Sequence, residues 1–302
     1  MDIVKKVIKF LIFPLLVRIP GYRMIAQKVC KICNPRKGTL SKLISMSFWN
    51  NCYFQLPPGE RMDMQLLLMG GDEGVGWAQK YQVKEHLESG RSKVGALDFL
   101  DACPAFDRIS RFLEETKDQC SVIQIGASSG KDIVYFAKRY PKHIFYYTDI
   151  FDSVVEYAKS HHNLKNIEFL VASAEEIHLI ASLVGTKNVL IFSMSALTYV
   201  FPESLSRMFA RLSKISQKQI TIIFDEPGND LKSDPLLLEG SLPRSNFSYT
   251  HNYSHYAKNN CFQVLEWKKI SPYIPQKDYP AHKGTIHLHG FFDNSGRDIM
   301  PS

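Results

Sequence analysis

Long apolar runs are missing near the start of this 302-residue chain. The best candidate, Val7 to Val17, is interrupted by Lys9 and broken by Pro14, and only Phe10 to Val17 runs without a charge. A membrane-spanning helix needs about 20 apolar residues, so this segment is too short to cross. Cysteine is scarce. The six present (Cys30, Cys33, Cys52, Cys103, Cys120 and Cys261) follow no disulfide framework. A chain of this size does not need one, and a reducing, cytoplasmic setting is the simplest expectation. Cys30 and Cys33 form a lone CxxC with no second ligand pair, so no metal centre is expected. Internal repeats and low-complexity tracts are also lacking.

Acidic charge is almost absent from the first 50 residues, which hold ten Lys and Arg against Asp2 alone. The other 252 residues carry 27 basic and 29 acidic side chains. The net charge of +7 therefore belongs to the N-terminus, and the slightly acidic remainder is a poor nucleic-acid surface. No nucleic-acid partner is expected. Residues 1–37 read either as an interfacial anchor, with Phe10 to Val17 at the headgroup boundary and the lysines on anionic lipid, or as a helix packed on a domain with its lysines solvated. A cleaved signal is disfavoured, because Arg18, Pro20 and Arg23 stand where small residues are needed.

Residues 38–120 read as a mainly helical accessory or lid region, broken at Pro57 and Pro58. The run Gly70 to Gly76 contains Asp72 and Glu73 but no lysine, which is poor chemistry for holding phosphate. Trp77, Tyr81 and His86 follow at helical spacing, suited to packing or to facing a ligand.

From residue 121 strand-length apolar runs alternate with helical stretches. Such alternation builds βαβ units, hence an α/β domain over 121–302 with a seven-stranded, mostly parallel, doubly wound sheet. The expected strands are Ser121–Ile125, His143–Thr148, Ile167–Val171, Asn188–Phe192, Gln219–Phe224, Gln263–Ile270 and Thr285–Phe292. The expected helices are Lys131–Tyr140, Phe151–Ser160, Ala174–Leu183, Pro202–Ile215 and Ser254–Asn259. No helix is evident between the last two strands, so they should pair antiparallel.

The first strand-to-helix turn carries the chemistry. Gln124-Ile125-Gly126-Ala127-Ser128-Ser129-Gly130 leads an apolar strand through small residues into a helix, and Asp149 follows about 20 residues on. Small residues let a ligand approach the backbone, helix-start N–H groups attract electron-rich groups, and a strand-end carboxylate can accept ribose hydroxyls. With the third-strand end Ala172 to Glu176 and the fourth strand Val189 to Ser195, this sequence resembles the class I S-adenosylmethionine (SAM) dependent methyltransferases over residues 105–292. The resemblance implies SAM as cofactor and methyl transfer as activity. It sets Gly126, Ala127, Ser128 and Gly130 against the methionine part and Asp149 on the ribose. Ile150 would flank the adenine, with Ser173, Ala174 and Glu175 at the adenine end and Ser193 and Met194 beneath the sulfonium. The chain departs from the family pattern at Gln124 and Ser173, where acids are common, and at Ser128, where a third glycine is.

No Asn-Pro-Pro-Tyr-type motif follows the fourth strand, which disfavours base methylation, and no acid stands there for a metal-assisted catechol site. Asp225, His251 and Tyr253 are the candidates for proton transfer, His251 first, because histidine titrates near neutrality. His287 and His289 alternate along one strand and read as structural. The expected activity is O-methylation of a small-molecule, sugar or lipid-linked acceptor. Alternatives are an inactive methyltransferase-like scaffold at a membrane and an NAD(P)-type oxidoreductase using the same turn.

Overall fold

The computed structural model of the protein describes residues 104–228, 236, 238–243, 248–270 and 286–294. The N-terminal anchor, the glycine run at 70–76 and the helix expected at 77–87 lie outside them.

A first helix, α1 (Pro104–Glu115), buries Ala105, Phe106, Ile109 and Leu113. That spacing makes one apolar stripe along a helix. β1 (Cys120–Ile125) is buried along its whole length, as a central parallel strand covered on both faces must be. α2 (Lys131–Arg139), β2 (Ile144–Asp149), α3 (Asp152–His161) and β3 (Ile167–Val171) complete the first half. A short 3-10 turn at Ala174–Glu176 leads into α4 (Ile177–Leu183), so the single helix expected at 174–183 is split. β4 (Asn188–Met194) is followed by α5 (Pro202–Leu212), which has proline in its first turn and turns Leu205, Met208, Phe209 and Leu212 inward. β5 (Gln219–Gly228), β6 (Ser241–Pro243), β7 (Tyr249–His251), α6 (Tyr253–Lys258), β8 (Gln263–Ile270) and β9 (Ile286–Asp293) follow.

The main sheet runs β3-β2-β1-β4-β5-β9-β8. β1 through β5 pair in parallel, and β9 enters antiparallel to both β5 and β8. The last two strands therefore pair antiparallel, as expected. β5 extends past Phe224 to Gly228, because Asp225 to Gly228 stay in register with His289 to Ile286 of β9. A close approach enforces Gly290 in β9: a Cβ there would stand 2.3 Å from the Phe224 ring.

The two faces carry separate cores. Ile123, Ile191, Ile222 and Phe224 pack with α4, α5 and α6 on one face. Val122, Phe145, Phe192 and Ile223 pack with α1, α2 and α3 on the other. Strand order reverses between β1 and β4, and the carboxyl ends of strands at such a switch point form the usual ligand crevice. Among the described residues no helix is long and apolar enough to cross a membrane.

Candidate cofactor and methyl-transfer site

The turn between β1 and α2 sits at that switch point. Gly126 has φ +63°, a left-handed conformation, and a Cβ there would meet the Ala196 Cβ at 2.4 Å. Glycine satisfies both demands. Ser128 also takes a positive φ, of 48°. A side chain in that region carries strain, and the surroundings must hold it there. They do so through Asp149, whose Oδ2 accepts the Ser128 N–H at 3.0 Å, and Tyr147, whose hydroxyl donates to the Ser128 carbonyl at 2.5 Å. The Ala127 N–H reaches the Thr148 carbonyl at 2.9 Å, and His162 Nε2 meets the Ser129 carbonyl at 2.8 Å. The turn is thus held by the protein's own contacts.

Asp149 closes β2 and is almost fully buried. Its Oδ1 accepts the Phe151 N–H at 3.3 Å while Oδ2 holds the turn. Burial raises its pKa, and the backbone donors oppose the rise. Beside it Ile150 is 43% exposed, and Val171, in register with Asp149 at the end of β3, is 56% exposed. These two offer an apolar platform next to a carboxylate.

At the third-strand end the side chains meet protein partners. The Ser173 hydroxyl donates to Glu176 at 2.7 Å, capping the 3-10 turn, and Ala174 is buried in the core. Arg207 grips both oxygens of Glu175 at 2.7 Å, which holds that carboxyl down at about 2. The side chains of Ser173 and Glu175 are thus engaged within the protein.

Ser193, at the end of β4, likewise turns inward. Its hydroxyl donates to Glu226 Oε1 at 2.5 Å, and Glu226 also accepts the N–H groups of Ala196, Leu197 and Thr198 at 3.2, 3.1 and 3.0 Å. Glu226 is fully buried, and burial pushes it up to about 7 against those hydrogen bonds. It anchors the segment after β4 whose Ala196 abuts Gly126. Met194 is half-buried, on the same face as Phe192 and opposite to Ser193.

Of the three proton-transfer candidates, His251 and Tyr253 meet, their rings 5.3 Å apart, and Asp225 stands away from them. His251 is fully buried, with Nδ1 2.5 Å from the Ser241 hydroxyl and its ring stacked on Tyr249 at 5.4 Å. Tyr253 packs 4.3 Å from Phe224, on the face covered by α5 and α6. Asp225 alternates with Phe224 along β5 and faces the other way, toward α1. There it accepts from His287 Nδ1 at 3.2 Å. His289 Nε2 lies 3.6 Å from Glu266, which Arg108 of α1 holds at 2.8 Å, and burial lowers the His289 pKa.

Sequence reasoning missed the Glu226 anchor, the Asp225–His287 pair and a contact between Gln124 and Asp132. The first two join positions 28 to 62 residues apart, and nothing local announces them. Asp132, two residues past the last glycine, was legible as a first-turn acid.

No known family model matches this chain, and no curated protein matches it. Solved structures do. A SAM-dependent methyltransferase from Aquifex aeolicus shares 15% identity over 70% of this chain and 97% of its own, with a TM-score of 0.44. One from Anabaena variabilis shares 12% over 64% and 84%, with a TM-score of 0.43. One from Leishmania major shares 13% over 72% and 83%, with a TM-score of 0.44.

Independently of these likenesses, the observed strand order with β9 antiparallel between β5 and β8 is that of the Rossmann-like methyltransferase fold. A nucleoside with an amino-acid tail fits the residues present. The Gly126–Gly130 turn presents small side chains at the switch point, the Asp149 carboxylate keeps acceptor capacity beyond the N–H bonds it accepts, and Ile150 and Val171 suit a base.

Proposed function

We propose that this protein is a SAM-dependent methyltransferase acting on a hydroxyl of a small-molecule, sugar or lipid-linked acceptor. The observation that carries the reading is the Asp149 carboxylate, tied to Ser128 across the glycine turn at the strand-order switch point. The resident cofactor supplies an electrophilic methyl group on a sulfonium. Gly126, Ala127, Ser128 and Gly130 form the wall for its amino-acid end. Asp149 accepts the ribose hydroxyls, and Ile150 lies against the adenine. The backbone of Ser173, Ala174 and Glu175 borders the far edge, their side chains being engaged elsewhere. Met194 and the Ser193 backbone lie toward the methyl group.

Transfer to a hydroxyl is an in-line displacement, and it needs the acceptor aligned and its proton removed. His251 is our first reading for that base, with Tyr253 beside it. A second reading has its own observation. Asp225 accepts from His287 Nδ1, which fixes the tautomer and leaves Nε2 as the basic nitrogen. His287 pairs with Pro227, nearer the carboxyl edge of the sheet than Asp225. The basic N-terminal segment would bring the enzyme to an anionic lipid surface, in keeping with an amphipathic acceptor.

The test is calorimetry of the purified chain with SAM and with S-adenosylhomocysteine, wild type beside Asp149→Ala. Micromolar binding, weakened about tenfold or more in the variant, is the expected result, since a hydrogen bond to a charged group contributes about 1.5–3 kcal/mol. A folded wild type that binds neither ligand ends this reading. Binding of NADH in their place would favour the oxidoreductase.

A further inference from the structure

Charge on the described domain is divided between the two edges of its sheet. The five parallel strands lie in the order β3-β2-β1-β4-β5, and their starts are level. Phe145 pairs with Ile167, Ser121 with Ile144, Cys120 with Asn188, and Asn188 with Gln219. A lysine stands one to three residues ahead of each start: Lys165, Lys142, Lys117, Lys187 and Lys218, in that spatial order. Strands about 4.8 Å apart make this a row about 20 Å long. The helices between them end at the same edge and add Lys138 and Arg139 of α2, Lys159 of α3 and Lys214 just past α5. Acids there are fewer: Glu114, Glu115 and Asp118 where α1 ends, Glu168 in β3 and Asp293 in β9. Asp149, Asp225 and Glu226 belong to the opposite, carboxyl edge.

Cations at helix ends ordinarily serve the helix, by bonding its last carbonyls or meeting its dipole. Part of the row does serve the fold. Lys142 Nζ donates to the Thr116 carbonyl at 2.7 Å, Lys218 Nζ to the Thr186 carbonyl at 2.7 Å, and Arg139 lies 3.7 Å from Glu114. Lys117, Lys165 and Lys187 are different. Each is exposed, and among the described residues none of the three makes a hydrogen bond or an ion pair. Like charges held on one edge repel one another, and an anionic surface laid against them removes that repulsion.

A second observation identifies the surface. The first 50 residues hold ten further Lys and Arg and the apolar run Phe10 to Val17. Stable attachment to lipid takes two signals, and an apolar insertion with a polybasic patch supplies both. Nucleic acid fits less well. Its phosphates and bases are best met by the planar, bidentate guanidinium, and the unengaged cations that lead the strands are lysines, compact point charges.

We propose that the amino edge of the sheet, through Lys117, Lys165 and Lys187, docks on an anionic membrane surface. The proposal does not depend on the cofactor reading. It fixes where the crevice points. β1 is six residues long, so at about 3.3 Å per residue the carboxyl edge stands about 20 Å from the amino edge. The crevice then opens away from the lipid. An acceptor atom on an acyl chain is out of reach. One on a polar group projecting from the membrane, or on a dissolved molecule, is within it.

Co-sedimentation of the full chain with vesicles tests the docking face, using phosphatidylcholine alone and an equal mixture with phosphatidylglycerol. Wild type should bind the mixed vesicles well above the neutral ones, with an affinity that falls as salt rises. The triple variant Lys117→Gln, Lys165→Gln, Lys187→Gln should bind the mixed vesicles about 100-fold more weakly, since each lysine near such a surface contributes about fivefold. A control with Ser153→Glu and Ser206→Glu, exposed positions toward the carboxyl edge, also lowers the net charge. It should stay within about threefold of wild type, because both sites lie more than a screening length from the lipid. Circular dichroism checks that both variants fold as wild type does. A triple variant that binds like wild type overturns the proposal and leaves attachment to the N-terminal segment alone. A control that loses as much as the triple variant overturns it too, because net charge and not this edge then sets the affinity. So does a wild type that ignores the mixed vesicles, and binding of duplex DNA through the same lysines would then name nucleic acid as the partner instead.

Discussion

Glu226 is the residue on which the far wall of the site depends. It gathers Ser193 and three consecutive backbone N–H groups after β4, and that segment sets Ala196 against Gly126. Its ordinary pKa of 4.5 rises to about 7 in the fold, so the folded state binds this proton more tightly than the unfolded chain. The stability gained from protonation is complete below about pH 4.5 and is lost as pH climbs through about 7. Its full span is about 3 kcal/mol at 1.36 kcal/mol per pKa unit. Glu226→Gln removes the titration, so the wild-type advantage in melting temperature should shrink between pH 5 and pH 7.5, which span most of that window. An advantage that grows over that interval would contradict the assignment. Asp149 could be found in the sequence, because its distance from the glycine turn is a local signature. Glu226 could not, because each of its partners lies about 30 residues upstream.

At the scale of elements, apolar periodicity located every strand of the main sheet, and the misses fall at ends and joints. The fifth strand was expected to stop at Phe224, where its apolar run ends. Pairing with β9 carries it to Gly228 and buries Asp225 and Glu226 on opposite faces. The β6–β7 hairpin was not expected, being only three residues on each side. α1 lies before the residue-121 boundary, in a region read only as generally helical. Its Phe106 is buried against Phe136 at 4.9 Å, so α1 shares the core of the sheet's second face. Phe106→Ala should lower unfolding stability by about 3–5 kcal/mol in urea titrations, the range for truncating a core aromatic. A loss below about 1 kcal/mol would mean that α1 is a detachable cover.

For the whole molecule, what matters is how the last two strands close the sheet. Gly290 is the pivot. The Phe224 ring crosses over it and is itself held by Tyr253 at 4.3 Å and Phe292 at 5.3 Å, so it has little room to yield. Gly290→Ala should therefore cost about 1–3 kcal/mol through overpacking, read as a lower urea midpoint at unchanged slope. An unaffected midpoint would mean that the ring moves freely. The sequence by itself determined the α/β class, the parallel core, the antiparallel pairing of the last two strands, the glycine turn and its acid. All of these are written in local periodicity or short spacings, which a chain expresses wherever it folds. Tertiary structure alone decided that β9 inserts between β5 and β8, that Ser173, Glu175 and Ser193 turn to protein partners, and that His251 and Asp225 face different sides of the sheet. Those outcomes depend on which distant side chains meet and on how much water their meeting removes, and no local pattern of residues encodes either.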